Sequence, residues 1–128
     1  MGSAYVRNFR GRTFFCLGLV TLALAVMRTD LAWSQTRGAT VSEGQNLAFD
    51  RGKGNCLACH QIKGGDLEGN VGPTLDDMKT RFPDRKELYG LIWDESKRNP
   101  QTVMPPFGTN HILTPDEINK IIDFLYSL

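Results

Sequence analysis

From Thr114 onward the apolar positions Ile118, Ile121, Ile122, Leu125 and Leu128 recur at i, i+3, i+4, i+7 and i+10. That spacing places them on one face of an α-helix, and such a face needs another element to cover it. The start of the helix is written in Thr114-Pro115-Asp116-Glu117. Threonine caps, proline takes the first helical position, glutamate closes the capping box, and the acidic groups sit at the positive end of the dipole. A second stretch, DRKELYGLIWDESK from Asp84 to Lys97, sets Leu88, Leu91 and Ile92 on one face, with Asp84 as N-cap, Glu87 three residues on and Asn99-Pro100 as the stop. Ser42-Glu43-Gly44-Gln45 has the S-x-x-Q form of a capping box. It predicts a short helix through Leu47, Ala48 and Phe49 to about Lys53, ended by Gly54. Between these segments IKGGDLEGNV, Ile62 to Val71, reads as loop, and Gly72-Pro73 turns the chain. No alternating strand pattern, repeat or low-complexity tract is present, so the expected fold class is all-α, with few short helices and long loops.

The N-terminal end follows a different pattern. Arg7, Arg10 and Arg12 precede the apolar run TFFCLGLVTLALAV, Thr13 to Val26, and Ala32-Trp33-Ser34 offers small residues where a signal peptidase cuts. The run is short for a membrane span, which needs roughly twenty residues. Residues 1–34 are therefore expected to be a signal peptide and 35–128 the working domain, with membrane attachment only if the leader stays uncleaved. Cys16 lies in the apolar run without a lipobox and is expected to leave with the leader, so two cysteines remain.

From Gln35 onward eleven Lys and Arg face thirteen Asp and Glu. The slight negative excess argues against a nucleic-acid partner. Export implies an oxidising compartment, the periplasm, where a lone cysteine pair by default forms a disulfide. A domain this small gains much from a covalent or metal-bound centre.

The remaining cysteines lie in GNCLACHQI: Cys56, Cys59 and, directly after, His60. Two thiols three apart can add across the two vinyl groups at one haem edge, and the adjacent imidazole can bind iron, the C-x-x-C-H pattern of c-type haem attachment. Zinc would want four ligands, usually from two knuckles, and only His111 is left to help. A thioredoxin-like dithiol would need a βαβ context, and a Cys56–Cys59 disulfide would close too small a loop to stabilise much. The cofactor expected is one covalent haem c.

Iron has a second axial position. Met104, in QTVMPPFGTN, is held extended by Pro105 and stiffened by Pro106, so its loop can present a thioether. Met78, in TLDDMKTRF, reads as a core or haem-edge side chain, and His111 follows Gly108-Thr109-Asn110 as a third candidate. A His60–Met104 pair leaves iron six-coordinate with no open position, which suits electron transfer, and thioether ligation favours Fe(II). Pro73 offers a fixed carbonyl to the other imidazole nitrogen; an ordinary turn proline is the alternative. Tyr89, Trp93, Phe82 and Phe124 are expected to pack on one another or on the porphyrin. Lys53, Lys63, Lys79, Arg81, Arg85, Lys86, Lys97 and Arg98 could steer an acidic partner, but interspersed acids favour solvated charges.

Taken together, GNCLACH, Gly72-Pro73-x-Leu75, Asn99-Pro100-x-Thr102-x-Met104-Pro105-Pro106-Phe107-Gly108 and Ile112-Leu113-Thr114, closing on FLYSL, resemble the X subunit (SoxX) of the Sox sulfur-oxidising system, over about residues 43 to 128. The resemblance implies a class I cytochrome c-like fold, thioether links at Cys56 and Cys59, and His60 and Met104 on the iron. It also implies a heterodimer with a SoxA-like cytochrome subunit, acting as an L-cysteine S-thiosulfotransferase on a SoxYZ-like carrier protein, with electrons leaving to a small c-type cytochrome. A third mature cysteine is missing, so the cysteine-ligated haem of that family's A subunit cannot lie here and bond formation would fall to the partner. The alternatives are a free-standing electron shuttle to a terminal oxidase or reductase, and a haem sensor or peroxidase with a labile sixth ligand.

Overall fold

The computed structural model describes residues 37–128; the expected leader, Cys16 included, lies outside them. Four α-helices carry the fold: α1 (37–49), α2 (Met78–Arg81), α3 (Arg85–Asp94) and α4 (Pro115–Leu125), with 3₁₀ turns at Cys56–Ala58 and Glu95–Lys97. No strand occurs among the described residues.

The helix α4 begins as its sequence dictates. The Glu117 N–H donates to Thr114 Oγ1 at 3.2 Å, and the Thr114 N–H donates back to Glu117 Oε2 at 2.8 Å. Its apolar stripe is almost fully covered, with Ile118 and Ile122 at 0% exposure and Ile121 at 1%. Asp84 caps α3 by accepting from the Lys86 N–H at 2.9 Å. Leu88 and Ile92 are buried, while Leu91 is half-buried. The expected continuation of α3 to Lys97 is corrected: the α-helix stops at Asp94, whose carboxylate turns back to accept from the Ser96 N–H and starts a separate 3₁₀ turn.

A larger correction concerns α1. The chain is already helical at residue 37, so Ser42 lies inside the helix and its hydroxyl donates to the Ala39 carbonyl at 3.2 Å. A cap needs non-helical backbone, and inside a helix the same side chain turns to the preceding turn instead. At the other end α1 stops at residue 49, before Lys53, because Asp50 accepts from Gly52 and Lys53 in a tight turn. The Gly54 N–H then closes on the Leu47 carbonyl at 3.0 Å.

The first and last helices meet at Gly44. An added Cβ there would lie 2.0 Å from the Lys120 carbonyl oxygen and 3.0 Å from Phe124 Cβ, so the backbones touch where no side chain intervenes. Beside this contact the rings of Phe49 and Phe124 meet edge to face, 5.6 Å apart. Lys120 reaches both Glu43 and Asp116 at 2.9 Å. On the opposite side Arg85 ties α3 to α4 through Asp123 Oδ1 at 2.5 Å and the Asn119 carbonyl at 2.6 Å. The Tyr126 hydroxyl donates to the Phe82 carbonyl at 2.6 Å.

Glu117 also pairs with Lys53 at 2.7 Å, which joins the turn after α1 to the start of α4. The hydrogen bond from Lys53 and, after it, the Thr114 N–H hold the Glu117 carboxyl below its ordinary value of 4.5. A depressed carboxylate stabilises the fold above its ordinary value and stops doing so as pH falls through the folded value. Glu117→Gln is therefore expected to cost about 1 kcal/mol at neutral pH, the usual scale for a lost cap. The difference from the parent protein should shrink steadily in urea titrations run below pH 4.5.

Candidate functional site

The thiol segment is wound by the left-handed backbone of Asn55 (φ 44°) into the turn Cys56–Ala58. The N–H groups of Cys59 and His60 both donate to the Cys56 carbonyl, at 3.2 and 2.9 Å. Cys56 opens the turn and Cys59 follows directly after it. The thiols are half-buried and not joined to each other. Burial pushes the Cys56 thiol up to about 11. A redox-active dithiol needs the opposite shift, towards a reactive thiolate.

His60 is oriented by the chain thirteen residues further on: its Nδ1 lies 2.7 Å from the Pro73 carbonyl oxygen. A carbonyl can only accept, so Nδ1 carries the proton and Nε2 keeps its lone pair for a metal. Two backbone bonds hold this arrangement in register, from the Gly72 N–H to the Cys59 carbonyl at 2.8 Å and from the Leu75 N–H to the Gln61 carbonyl at 2.9 Å. The ring packs closely against Gly72, where a Cβ would come within 2.3 Å of Cε1. The loop before it folds over the thiol turn through the Gly69 N–H on the Leu57 carbonyl, 2.7 Å away.

Met104 sits on a different segment, between the second 3₁₀ turn and α4. It is half-buried against the core, and its N–H is held by Thr102 Oγ1 at 3.1 Å. Met78 is a core residue, 3% exposed at the start of α2. His111 is exposed, with a left-handed backbone (φ 55°). The structure thus gathers Cys56, Cys59, His60 and Pro73 into one local unit and carries Met104 on a separate loop.

Of the aromatic side chains, Tyr89 and Trp93 stack with centroids 5.8 Å apart and planes 21° from parallel. Phe124 pairs instead with Phe49 of α1. Lys53, Arg81, Arg85, Lys97 and Arg98 each have a carboxylate within 4 Å, so most of the cations named from the sequence are paired. Sequence reasoning missed Thr102, Asp94 and Thr109, which hold the Met104 loop; their partners lie in the folded structure and leave no periodic signal.

The donor set fits a covalently bound haem. Two unlinked thiols flank one short turn, an imidazole nitrogen is left free by its neighbour's hydrogen bond, and a thioether stands half-buried on a proline-stiffened loop. Among the described residues no three His, Cys, Asp or Glu side chains converge as a zinc knuckle would require. Nor is any described helix long and apolar enough to cross a membrane.

Comparison with known proteins agrees with this chemistry. The family model for Cytochrome c matches residues 41–128. A protein of Aquifex aeolicus (strain VF5) described as an uncharacterized lipoprotein is 37% identical over 78 residues, which cover 58% of this chain and 36% of that protein. The chain thus spans about a third of the length of that relative.

Proposed function

Because the chain belongs to the cytochrome c family, with one covalently attached haem c and electron transfer as its work, we propose that it is the electron-transfer subunit of a SoxAX-like L-cysteine S-thiosulfotransferase in the periplasm. A bound haem c supplies a one-electron Fe(II)/Fe(III) couple. The chain's residues then have distinct tasks. Cys56 and Cys59 would hold the porphyrin by thioether links, and His60 through Nε2 and the Met104 thioether would be the ligands to its iron. The Pro73 carbonyl keeps the imidazole in the correct tautomer and orientation.

The observation that carries the electron-transfer reading is the cytochrome c family match over residues 41–128; the His60–Pro73 hydrogen bond of 2.7 Å, which leaves Nε2 free for a metal, and a thioether on a stiff loop support it. An iron held by both His60 and Met104 would leave no position open for a substrate, which suits electron transfer. The Asn99-Pro100-x-Thr102-x-Met104-Pro105-Pro106-Phe107-Gly108 block supports the thiosulfate reading. Joining thiosulfate to a carrier thiol would break the S–H bond, form an S–S bond and release one proton and two electrons; a haem held by this chain would supply the one-electron couple through which those electrons pass to a small c-type cytochrome. The leader-like N-terminus and the relative's description as a lipoprotein support export.

Met104→Ala is expected to abolish the weak red-edge charge-transfer band of the ferric protein that marks a methionine–iron bond. The same change should lower the midpoint potential, within the roughly 0.8 V range that axial ligation covers. Met78→Ala should keep the band and lose stability instead, about 2 to 5 kcal/mol for a buried methionine. The reverse pattern would exchange the roles of the two methionines.

Purification from the native source tests the subunit reading. A second cytochrome should co-purify, and thiosulfate together with a carrier thiol should reduce this haem only when that partner is present. A lone monomer that exchanges electrons rapidly with a terminal oxidase would instead establish the free-standing shuttle.

A further inference from the structure

The loop bearing Met104 is suspended between two anchors. On its near side the Thr102 N–H donates to the Asn99 carbonyl at 3.0 Å and the Gln101 N–H to Asn99 Oδ1 at 3.2 Å. Val103 is 76% exposed, and Pro105 and Pro106 have no N–H to give. Between its ends the span is held by the Met104 N–H on Thr102 Oγ1 at 3.1 Å and by the Asn110 N–H on the Pro106 carbonyl at 2.9 Å.

The far anchor is the C-terminal end of α3. Phe107 is 7% exposed, and the next residue, Gly108, lies directly on the Trp93 indole, where a Cβ would be 2.1 Å from Cδ2. The N–H groups of Gly108 and Thr109 both point at the Trp93 carbonyl, at 3.0 and 3.4 Å. The Thr109 hydroxyl then donates to Asp94 Oδ2 at 3.2 Å. Asp94 is 9% exposed, and its other oxygen accepts from the Ser96 hydroxyl at 2.5 Å and the Ser96 N–H at 3.2 Å. Lys97 stands 3.8 Å from Oδ2. A largely buried carboxylate, immobilised by its own 3₁₀ turn, thus faces the loop that follows Met104. Hydrogen bonds to a charged acceptor are the stronger kind, and removing one partner leaves the other unsatisfied.

We propose that Asp94 is a positioning residue for the sixth ligand: through Thr109 it locks the Met104 loop onto α3 and so sets how often the thioether leaves the iron. The proposal rests on the reading of Met104 as that ligand. Asp94 touches neither iron nor porphyrin in this account; it acts on the loop alone. The Trp93 carbonyl, the Gly108 contact and the buried Phe107 fix where the loop lies, and the Asp94–Thr109 bond is the side-chain hydrogen bond that ties its far end to α3.

The test is the rate at which imidazole binds the ferric holoprotein, since imidazole enters only when the methionine has left. Thr109→Val, nearly isosteric at an exposed position, should keep the methionine band at neutral pH yet bind imidazole about tenfold faster, which is the effect of losing roughly 1.4 kcal/mol. Asp94→Ala should match or exceed that, and Thr109→Ser, which retains the hydroxyl, should restore the parent rate. Global stability is measured in parallel by urea unfolding. Parent-like imidazole rates in both Thr109→Val and Asp94→Ala, with the band intact, overturn the proposal and leave the ligand reading standing. An acceleration that merely tracks the fall in global stability also overturns it. A parent protein without the methionine band, or Met104→Ala with the band retained, overturns the ligand reading and the proposal together.

Discussion

A Cys56→Ser, Cys59→Ser double variant is expected to emerge with the mass of the bare polypeptide, without pigment, and largely unfolded. Leu57, Leu75, Phe82, Tyr89, Trp93 and Met104 are only partly buried where they pack against the core. They present apolar surface that a porphyrin would cover, at about 25 cal/mol for each Å² removed from water. A group bound only by the native state stabilises that state by mass action, and a covalent one cannot be diluted away. Removing both attachment points leaves a small core of twelve buried apolar residues, Ala48 to Leu125, to hold the chain alone, and domains of this size have little stability in reserve. Either single variant keeps one link and should retain part of the pigment. Far-ultraviolet circular dichroism and intact mass decide the matter. A colourless but fully helical, cooperatively unfolding double variant would show that the polypeptide folds without the cofactor.

The second large effect is expected at Gly44, where two opposing terms can be compared. Replacing glycine by alanine inside a helix gains about 1 kcal/mol in propensity. Against this, the new Cβ would sit 2.0 Å from the Lys120 carbonyl oxygen, and that atom belongs to the backbone of α4, which cannot rotate away. Overpacking of a fixed contact costs about 1 to 3 kcal/mol and sometimes more, and here α1 must separate from α4 along its length. Gly44→Ala is expected to lose about 2 kcal/mol net in urea unfolding, and Gly44→Val, with no propensity gain to offset it, considerably more. A neutral or stabilised Gly44→Ala would mean that the two helices do not approach at this point.

How far each element could be read from the chain depended on whether its determinant was local. The α4 start is specified within four residues, Thr114 to Glu117, and the structure realises both bonds of the box. Asp84 is similarly self-contained. Ser42-x-x-Gln45 carries the same pattern without the same outcome, because a cap also depends on whether the preceding residues are already helical, and no pattern inside the motif reveals that. The four-residue helix α2 has too few positions to display a period. Its one buried residue, Met78, was identifiable only as apolar.

The site divides along the same line. C-x-x-C-H is a spacing within one turn, so its chemistry shows in five consecutive letters. The loop anchor at Trp93, Asp94, Gly108 and Thr109 joins segments about fifteen residues apart through a backbone carbonyl, a carboxylate and an indole face. Only the folded chain brings these together. The backbone-to-backbone contact at Gly44 is hidden for the same reason, since a glycine within a helix looks like a weakness until its partner is known.

That contact also constrains the order of events as the molecule is made. The segment that seals this contact, α4, follows α1 and the thiol turn along the chain, so it is synthesised after them and, if the chain is threaded through a membrane, arrives after them. Until then α1 has nothing to lie against, the far edge stays open, and Cys56 and Cys59 belong to a slack polypeptide into which a bulky flat pigment can be slipped sideways.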